Sequence, residues 1–186
     1  MPSIDSNFLN RLEDTISSYP TFIETGTHSG DTIFAVESCF TKLYTIEFSE
    51  HYYNSTKNKY NGDKISFILG DSSIEFQTLL PTIKDNSVFF LDGHWSGGDT
   101  GRSLKDCPLE EEIIHINNLF THNAIIIIDD YRLFGTILHE DWSNINKNKL
   151  LKILEKRIKK VYHLDSDISK DDRLIIHINS LSGSNT

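Results

Sequence analysis

The segment from Phe22 to Thr32 constrains the fold of this chain most, because it combines the end of a buried strand, a glycine turn and the start of a helix. Gly26 and Gly30 can supply the unusual backbone angles and the close approach of main chain that such a turn needs. The first N–H groups of a helix have no partner within the helix, so they are free to bind a ligand. Glu24 adds a hydrogen-bond acceptor at the carboxyl end of the strand. This layout indicates a site for an adenosine-containing ligand.

The rest of the chain alternates between short apolar strands and helices, which is typical of a parallel sheet with helices on both faces. Strands are predicted at residues 21–24, 42–47, 65–69, 88–91, 124–128, 161–164 and 174–179, and helices at 8–18, 32–40, 50–60, 73–80, 108–121 and 147–159. The closeness of the last two strands predicts a hairpin, and therefore an antiparallel edge. The predicted fold is a doubly wound, Rossmann-like α/β sheet of about seven strands, mostly parallel with an antiparallel last strand.

Composition limits both the domain count and the class of partner. A chain of 186 residues can bury one full core, so a single domain is expected over residues 1–186, with an N-terminal helix within 1–20 and a flexible tail at 180–186. The formal net charge of -9 argues against general nucleic-acid binding, which needs a basic surface. Cys39 and Cys107 have neither metal-ligand nor disulfide spacing, and no segment resembles a signal peptide or a membrane helix. A soluble, cytoplasmic protein is predicted.

Acidic residues follow five successive predicted strands. They are Glu24, Glu47, Asp71, Asp92 and the pair Asp129–Asp130. Ligands of open α/β sheets bind outside the carboxyl ends of the strands, so these acids are expected to face one site. Any one of them can instead cap a helix, and Asp71 is well placed to do so. Glu47 lies about 20 residues beyond the glycine turn, a spacing that suits a grip on ribose hydroxyls.

These residues resemble the motifs of the class I S-adenosylmethionine-dependent methyltransferases. The resemblance rests on Glu24-x-Gly26-x-x-x-Gly30, Glu47, Gly70-Asp71-Ser72 and Asp92, and it extends over residues 19–179. It implies that the methionine and sugar portions of the cofactor contact the turn formed by Gly26, Thr27, His28, Ser29 and Gly30. It also implies that Glu47 holds the ribose and that Asp71 and Ser72 face the adenine. Glu24 and Asp92 belong to the same implied cofactor-binding set.

A nicotinamide-binding Rossmann protein is the main rival interpretation. Such proteins use Gly-x-Gly-x-x-Gly and place a pyrophosphate at the helix N-terminus. In this chain His28 stands at the second glycine position, and Glu24 would repel a pyrophosphate. S-adenosylmethionine has a cationic sulfonium group and no phosphate, so an acidic pocket favours it. A P-loop is excluded because no Gly-Lys-Ser/Thr sequence follows the turn.

A divalent metal site is predicted from Asp92, Asp129 and Asp130, which end two strands that are neighbours in this topology. Clustered like charges are costly unless a cation neutralises them or a pKa rises. Oxygen ligands of this kind select Mg²⁺, Ca²⁺ or Mn²⁺. The arrangement is similar to that of metal-dependent O-methyltransferases of the catechol and macrolide-sugar types, which implies an ion that lowers the pKa of a substrate hydroxyl. The alternative is that Asp130 caps the following turn and only Asp92 and Asp129 face the site.

His94 follows Asp92 by two residues, at the mouth of the predicted sheet. An imidazole there could take the proton from a substrate hydroxyl, although a structural histidine that bonds the loop is the alternative. Trp95 and the glycine-rich residues 97–101 could form a lid. A simple surface loop accounts for them equally well.

The predicted function is methyl transfer from S-adenosylmethionine to a hydroxyl oxygen of a small molecule or sugar, with His94 and Asp92 as the catalytic residues. A regulatory or assembly protein that binds the cofactor without transfer is one alternative, and an enzyme that cleaves the cofactor is another. The expected partner is a small-molecule acceptor, not a nucleic acid or a membrane. The sequence leaves open whether a homodimer completes the site.

Overall fold

A computed structural model describes residues 3–93, 107–137 and 141–181, which form one seven-stranded sheet packed between helices. The strands are β1 Thr21–Thr25, β2 Lys42–Glu47, β3 Ile65–Leu69, β4 Ser87–Leu91, β5 Ala124–Ile128, β6 Ile158–Leu164 and β7 Arg173–Ile178. Their order across the sheet is β3-β2-β1-β4-β5-β7-β6. The predicted doubly wound α/β fold is confirmed, and the switch in strand order falls between β1 and β4.

The predicted antiparallel hairpin at the edge of the sheet is confirmed, and its last strand, β7, lies inside the sheet. Strand β7 pairs antiparallel with both β5 and β6, so β6 forms the edge and runs in the same direction as β1 to β5. Every residue of β7 is buried, as an internal position requires. The last strand is nevertheless the antiparallel one, as predicted.

The described residues contain six α-helices, of which α1 precedes the first strand and the other five lie between strands. They are α1 Ser6–Leu9, α2 Asp31–Val36, α3 Glu50–Lys57, α4 Ser72–Leu79, α5 Leu109–Leu119 and α6 Lys147–Leu154. The predicted helix over residues 8–18 is wrong, since α1 is a single turn that ends at Leu9. The amide of Glu13 donates instead to the hydroxyl of Tyr162 on β6, 2.9 Å away. A tertiary contact thus replaces the helical bond that the local spacing predicts.

Helix α6 ends at Leu154, before the end of the helix predicted over residues 147–159, because the side chain of Arg157 is used in tertiary hydrogen bonds. The chain turns after Leu154, and the buried Arg157 side chain donates hydrogen bonds to four carbonyl oxygens, those of Ile116, Asn117, His122 and Asn179. Two of these carbonyls, those of Ile116 and Asn117, belong to the end of α5, where main-chain oxygens lack the full set of helical partners, although Ile116 also accepts the N–H of Phe120. Burial lowers the pKa of Arg157 to about 10, so it remains a cation that stabilises the end of α5.

Two apolar cores cover the two faces of the sheet. In β5, Ile126 and Ile128 point to the face covered by α4, α5 and α6, while Ile125 and Ile127 point to the face covered by α1 and α2. Burial on both faces is why this strand is a continuous apolar run instead of an alternating one. Along the described stretches of the chain, no helix has both the length and the apolar character needed to cross a membrane.

Candidate functional site

The glycine turn after β1 brings the main chain directly against the end of β4. Gly26 has a φ of 83°, and its N–H donates to the carbonyl oxygen of Ile46 over 2.9 Å. A Cβ atom at this position would collide with the carbonyl oxygen of Asp92. Glycine alone satisfies both the left-handed angle and the close approach. The first glycine of the predicted cofactor turn therefore has a defined structural role.

Helix α3 supports the far side of the turn. Gly30, the N-cap of α2, has a φ of 83°, and a Cβ atom there would lie 2.5 Å from the methyl group of Thr56. The Thr56 hydroxyl donates to the carbonyl oxygen of His28 over 2.6 Å, and the Lys59 ammonium reaches that of Ser29 at 3.3 Å. These contacts fix the path of the main chain between the two glycines.

Glu47 joins the turn to the end of β2. Its Oε2 accepts the N–H of His28 over 2.7 Å, and its Oε1 accepts the N–H of Ser49 at the same distance. The carboxylate is almost fully buried. His28 has a φ of 46°, and its ring packs on that of Tyr52 with centroids 4.2 Å apart. The structure thus brings Glu47 to the turn, as the sequence predicted, whereas its bond to a ribose stays a prediction.

Glu24 lies beneath the turn in a chain of hydroxyl groups. Thr45 Oγ1 donates to Glu24 Oε2 over 2.6 Å, and Thr27 Oγ1 lies 2.5 Å from Thr45 Oγ1, so Thr27 donates to Thr45. Burial, together with the nearby negative charge of Glu47, raises the pKa of Glu24 to about 8. Thr45 was not among the predicted site residues. Thr45 lies between the apolar residues Tyr44 and Ile46 of β2. Nothing in this local pattern indicates that Thr45 contacts an acid on β1.

Asp71 and Ser72 begin α4, and each has a defined partner. Asp71 is the N-cap, and its Oδ1 accepts the N–H and the hydroxyl of Ser73 over 2.9 Å and 2.6 Å. The Ser72 hydroxyl donates to Oε1 of Glu112 on α5 over 2.5 Å. The helix-cap alternative for Asp71 is therefore what the structure shows. Contact of either residue with an adenine stays a prediction.

Glu112 is a buried acid that was not among the predicted site residues. Glu112 is only 1% exposed to solvent. It lies on the core-facing side of α5 together with Leu109, Ile113 and Ile116. Burial is the largest cause that raises the pKa of Glu112, to about 7. A signal was present in the sequence, because the helical spacing 109, 112, 113, 116 places an acid on the apolar face of the helix.

Asp92 and Asp129 end neighbouring strands, and their carboxyl groups influence each other. Burial and the negative charges of Asp129 and Asp130 raise the pKa of Asp92 well above its ordinary value. Burial also raises the pKa of Asp129, although the guanidinium of Arg173 opposes the shift. Arg173 Nε donates to Asp129 Oδ1 over 3.2 Å. The charges of Asp92 and Asp129 therefore influence each other, whereas the predicted metal site formed by Asp92, Asp129 and Asp130 stays a prediction.

Two arginines are part of this acidic edge. Asp130 has a φ of 57° and occupies the N-cap position of a 3-10 turn, but its side chain makes no capping hydrogen bond to that turn. The Arg132 guanidinium bonds to Asp130 Oδ1 and to Asp172 Oδ2, each at 2.5 Å. Among the described residues, the carboxylates whose oxygen atoms lie within 4.8 Å of one another are Asp129, Asp130 and Asp172. Asp172, which directly precedes β7, was not predicted because it comes from a distant part of the sequence.

The N-terminal segment contacts both halves of this site. The N–H of Ser3 donates to Oγ1 of Thr32 on α2 over 3.0 Å, and its carbonyl oxygen accepts a hydrogen bond from Arg173. The Arg173 guanidinium also lies 4.7 Å from the ring centroid of Phe8. The start of α2 and the Arg173–Asp129 pair are therefore connected through Ser3. His94, Trp95 and residues 97–101 lie outside the described residues.

No protein-family model and no curated protein matches this sequence, but solved structures share its fold. A putative S-adenosylmethionine-dependent methyltransferase from Listeria monocytogenes aligns over 95% of this chain and 97% of its own, with 13% identity and a TM-score of 0.57. A putative methyltransferase from Streptococcus mutans in complex with SAH aligns over 88% and 90%, with 14% identity and a TM-score of 0.56. Magnesium protoporphyrin IX methyltransferase from Synechocystis, with bound SAM, aligns over 87% and 71%, with 14% identity and a TM-score of 0.54.

This chain has the methyltransferase fold. The likeness to the Listeria structure covers 95% of this chain, and it confirms the fold that the sequence motifs predicted. At these identities the methyltransferase fold is what the chain shares with those proteins, and the activity has to be argued from its own site.

Proposed function

We propose that this protein transfers a methyl group from S-adenosylmethionine to a hydroxyl oxygen of a small molecule or sugar. The observation that carries the proposal is the pair of buried carboxyl groups, Glu24 and Glu47, against the glycine turn. In the described ranges their hydrogen-bond donors are a hydroxyl group and two backbone amides, not the side chain of a lysine or arginine. The Glu47 carboxylate attracts a cationic sulfonium ligand and would repel a pyrophosphate, and a bound cation favours the charged form of Glu24, whose pKa is otherwise about 8.

The structural neighbours support the choice of cofactor. The methyltransferases from Synechocystis and Streptococcus mutans were solved with SAM and with SAH, respectively. The present chain has a glycine turn after β1 and an acid at the end of β2, and the turn and the acid are directly hydrogen-bonded. An open α/β sheet binds its ligand where the strand order reverses. In this chain that point lies at the carboxyl ends of β1 and β4.

The residues of the site divide between holding the cofactor and handling a proton. When bound, the cofactor supplies an electrophilic methyl group on a positively charged sulfur. Residues 26–30 and Glu47 would hold it, and Asp92 would face the reacting end. His94 is the proposed base: it takes the hydroxyl proton of the acceptor as the oxygen–carbon bond forms and the carbon–sulfur bond breaks. Holding both reactants in line supplies much of the rate enhancement in such a displacement.

A hard divalent cation is part of the proposal, and the donor chemistry fits it. Asp92, Asp129 and Asp130 would supply carboxylate oxygens, the ligands that Mg²⁺, Ca²⁺ and Mn²⁺ prefer. Such an ion supplies a positive charge that lowers the pKa of a bound hydroxyl. Arg132 bonds to Asp130 and Arg173 bonds to Asp129, so these guanidinium groups compete for the same oxygens. Metal binding is therefore expected to be weak without an acceptor.

Product analysis tests the proposal. The purified protein is incubated with S-adenosylmethionine, Mg²⁺ and a panel of catechols and sugars, and the products are measured by mass spectrometry. S-adenosylhomocysteine that accumulates only with an acceptor, together with a methylated acceptor, supports transfer. Methylthioadenosine without an acceptor would indicate cleavage of the cofactor and overturn the proposal, and unchanged cofactor that nevertheless binds would indicate a binding protein.

A further inference from the structure

Glu112 is the one fully buried carboxyl group near the turn that the proposed reaction does not use, within the part of the chain that the structure describes. It belongs to α5, outside the strand ends where the other acids lie. A buried carboxyl group is costly to desolvate and needs compensating contacts. Its neighbours show what it does.

Three segments meet at the Glu112 carboxyl group. Its Oε1 accepts the hydroxyl of Ser72, at the start of α4, over 2.5 Å. A Cβ atom placed on Gly93, at the end of β4, would lie 3.4 Å from the same oxygen and 3.0 Å from Oγ1 of Thr25. The Glu112 oxygen and the Thr25 hydroxyl therefore both border the space that a side chain at position 93 would occupy.

Each of these three contacts is adjacent in sequence to a predicted cofactor residue. Thr25 precedes Gly26, Ser72 follows Asp71, and Gly93 follows Asp92. Thr25 is completely buried, and its hydroxyl makes no hydrogen bond of standard geometry within the described residues. Its proximity nevertheless stabilises the charged form of Glu112.

We propose that Glu112 is a positioning residue of the cofactor site, which holds the ends of β1 and β4 and the start of α4 in one arrangement and would favour a cationic cofactor through its carboxyl group. The second part of this inference, the preference for a cationic cofactor, rests on the proposed function. The first part, the arrangement of the three segments, stands on the contacts alone. The two parts can therefore be tested separately.

The variant Glu112→Gln keeps the size of the side chain, removes its charge and replaces one of its two acceptor oxygens by a donating NH₂ group. Glu110→Gln is the matched control, because Glu110 lies on the same helix in a surface ion pair with Lys149. Dissociation constants for S-adenosylmethionine and S-adenosylhomocysteine are measured by calorimetry for both variants. We expect E112Q to bind S-adenosylmethionine about tenfold more weakly and S-adenosylhomocysteine about twofold more weakly, with E110Q unchanged.

Hydrogen exchange supplies the readout that does not depend on the ligand. In E112Q without ligand, the amides of Gly26, Asp92 and Glu75 should exchange faster than in the wild type, whereas the amides of the β5–β7 pair and the melting temperature change little. If the wild type binds neither cofactor, the proposed function fails, and faster exchange at these amides alone still supports the positioning role. Unchanged exchange overturns the positioning role. Equal loss of affinity for both cofactors overturns the role of the charge.

Discussion

The backbone N–H of His28 donates to Oε2 of Glu47 over 2.7 Å, so the glycine turn and the end of β2 form one hydrogen-bonded unit. The second carboxylate oxygen accepts the N–H of Ser49 and thereby fixes the chain where it leaves β2. One side chain thus orders two loops at the edge where an open α/β sheet binds its ligand.

Glu47→Gln tests the importance of this unit. Glutamine has a single side-chain oxygen, so one of the two backbone amides would face an NH₂ group and lose its acceptor. We expect S-adenosylmethionine binding to weaken by about tenfold to a hundredfold. Calorimetric titration measures the change, and Glu50→Gln in the exposed first turn of α3 is the control. Equal affinity in E47Q and the wild type would show that the turn does not depend on Glu47.

Gly26→Ala should be far more destabilising than Gly135→Ala. Both glycines have a positive φ, 83° and 75°, so both substitutions introduce left-handed strain of about 1–2 kcal/mol. A Cβ atom at Gly135 meets no other atom within 4 Å, whereas at Gly26 it meets the backbone of Asp92. Urea denaturation gives the free energy of unfolding of each variant. Equal losses would mean that the close approach of the turn to β4 is not required.

Stability should fall as the pH rises through neutrality. The pKa of Glu24 is about 8 in the folded protein against an ordinary value of 4.5, so between these values the folded state retains a proton that the unfolded state releases. Each increase in pH in this window therefore favours unfolding. Glu112, whose pKa is about 7, acts in the same direction. We expect Glu24→Gln to flatten the decrease in the free energy of unfolding between pH 5 and pH 8.

The same window predicts proton-linked binding of the cofactor. A cation beside Glu24 favours its charged form, so S-adenosylmethionine should bind more tightly at pH 8 than at pH 6 and release protons on binding. Calorimetry in two buffers with different ionisation enthalpies counts the released protons. Proton release by E24Q equal to that of the wild type would show that Glu24 is not the linked group.

The variant Asp129→Asn tests whether the acidic edge acts in turnover while the cofactor turn acts in binding. Asp129 contacts Arg173 and raises the pKa of Asp92, but none of its described hydrogen bonds goes to the turn. We expect turnover to fall at least a hundredfold and Mg²⁺ stimulation to disappear, with S-adenosylmethionine affinity changed less than threefold. Asp141→Asn, on the exposed surface, is the control. Equal loss of turnover and cofactor affinity would contradict this division of the site.

The sequence predicted the sheet well because its signals are local. The run Ala124–Ile128 is apolar throughout, and Ile65–Leu69 is bounded by polar turns, so both strands match the structure at each end. The glycine turn could also be predicted from the sequence, because Gly26 and Gly30 occupy the positions where positive φ angles are required. Glu47 was found from its spacing to that turn.

The remaining features depend on contacts between distant residues. The helix predicted at 8–18 fails because Tyr162, from β6, takes the amide of Glu13. Asp172 and Arg173 reach the acidic edge only because β7 inserts between β5 and β6. Local spacing contains no information about that insertion. Glu112 is an intermediate case, since its place on an apolar helix face was visible but its contacts with Ser72 and Gly93 were not.

The most direct test of the central claim is a calorimetric titration of the protein with S-adenosylmethionine and, separately, with NADH. We predict a saturable S-adenosylmethionine isotherm that E47Q weakens, and no binding of NADH, because the buried Glu47 carboxylate at the turn repels its pyrophosphate. Tight binding of NADH, or the absence of any S-adenosylmethionine binding by the folded wild-type protein, would contradict it.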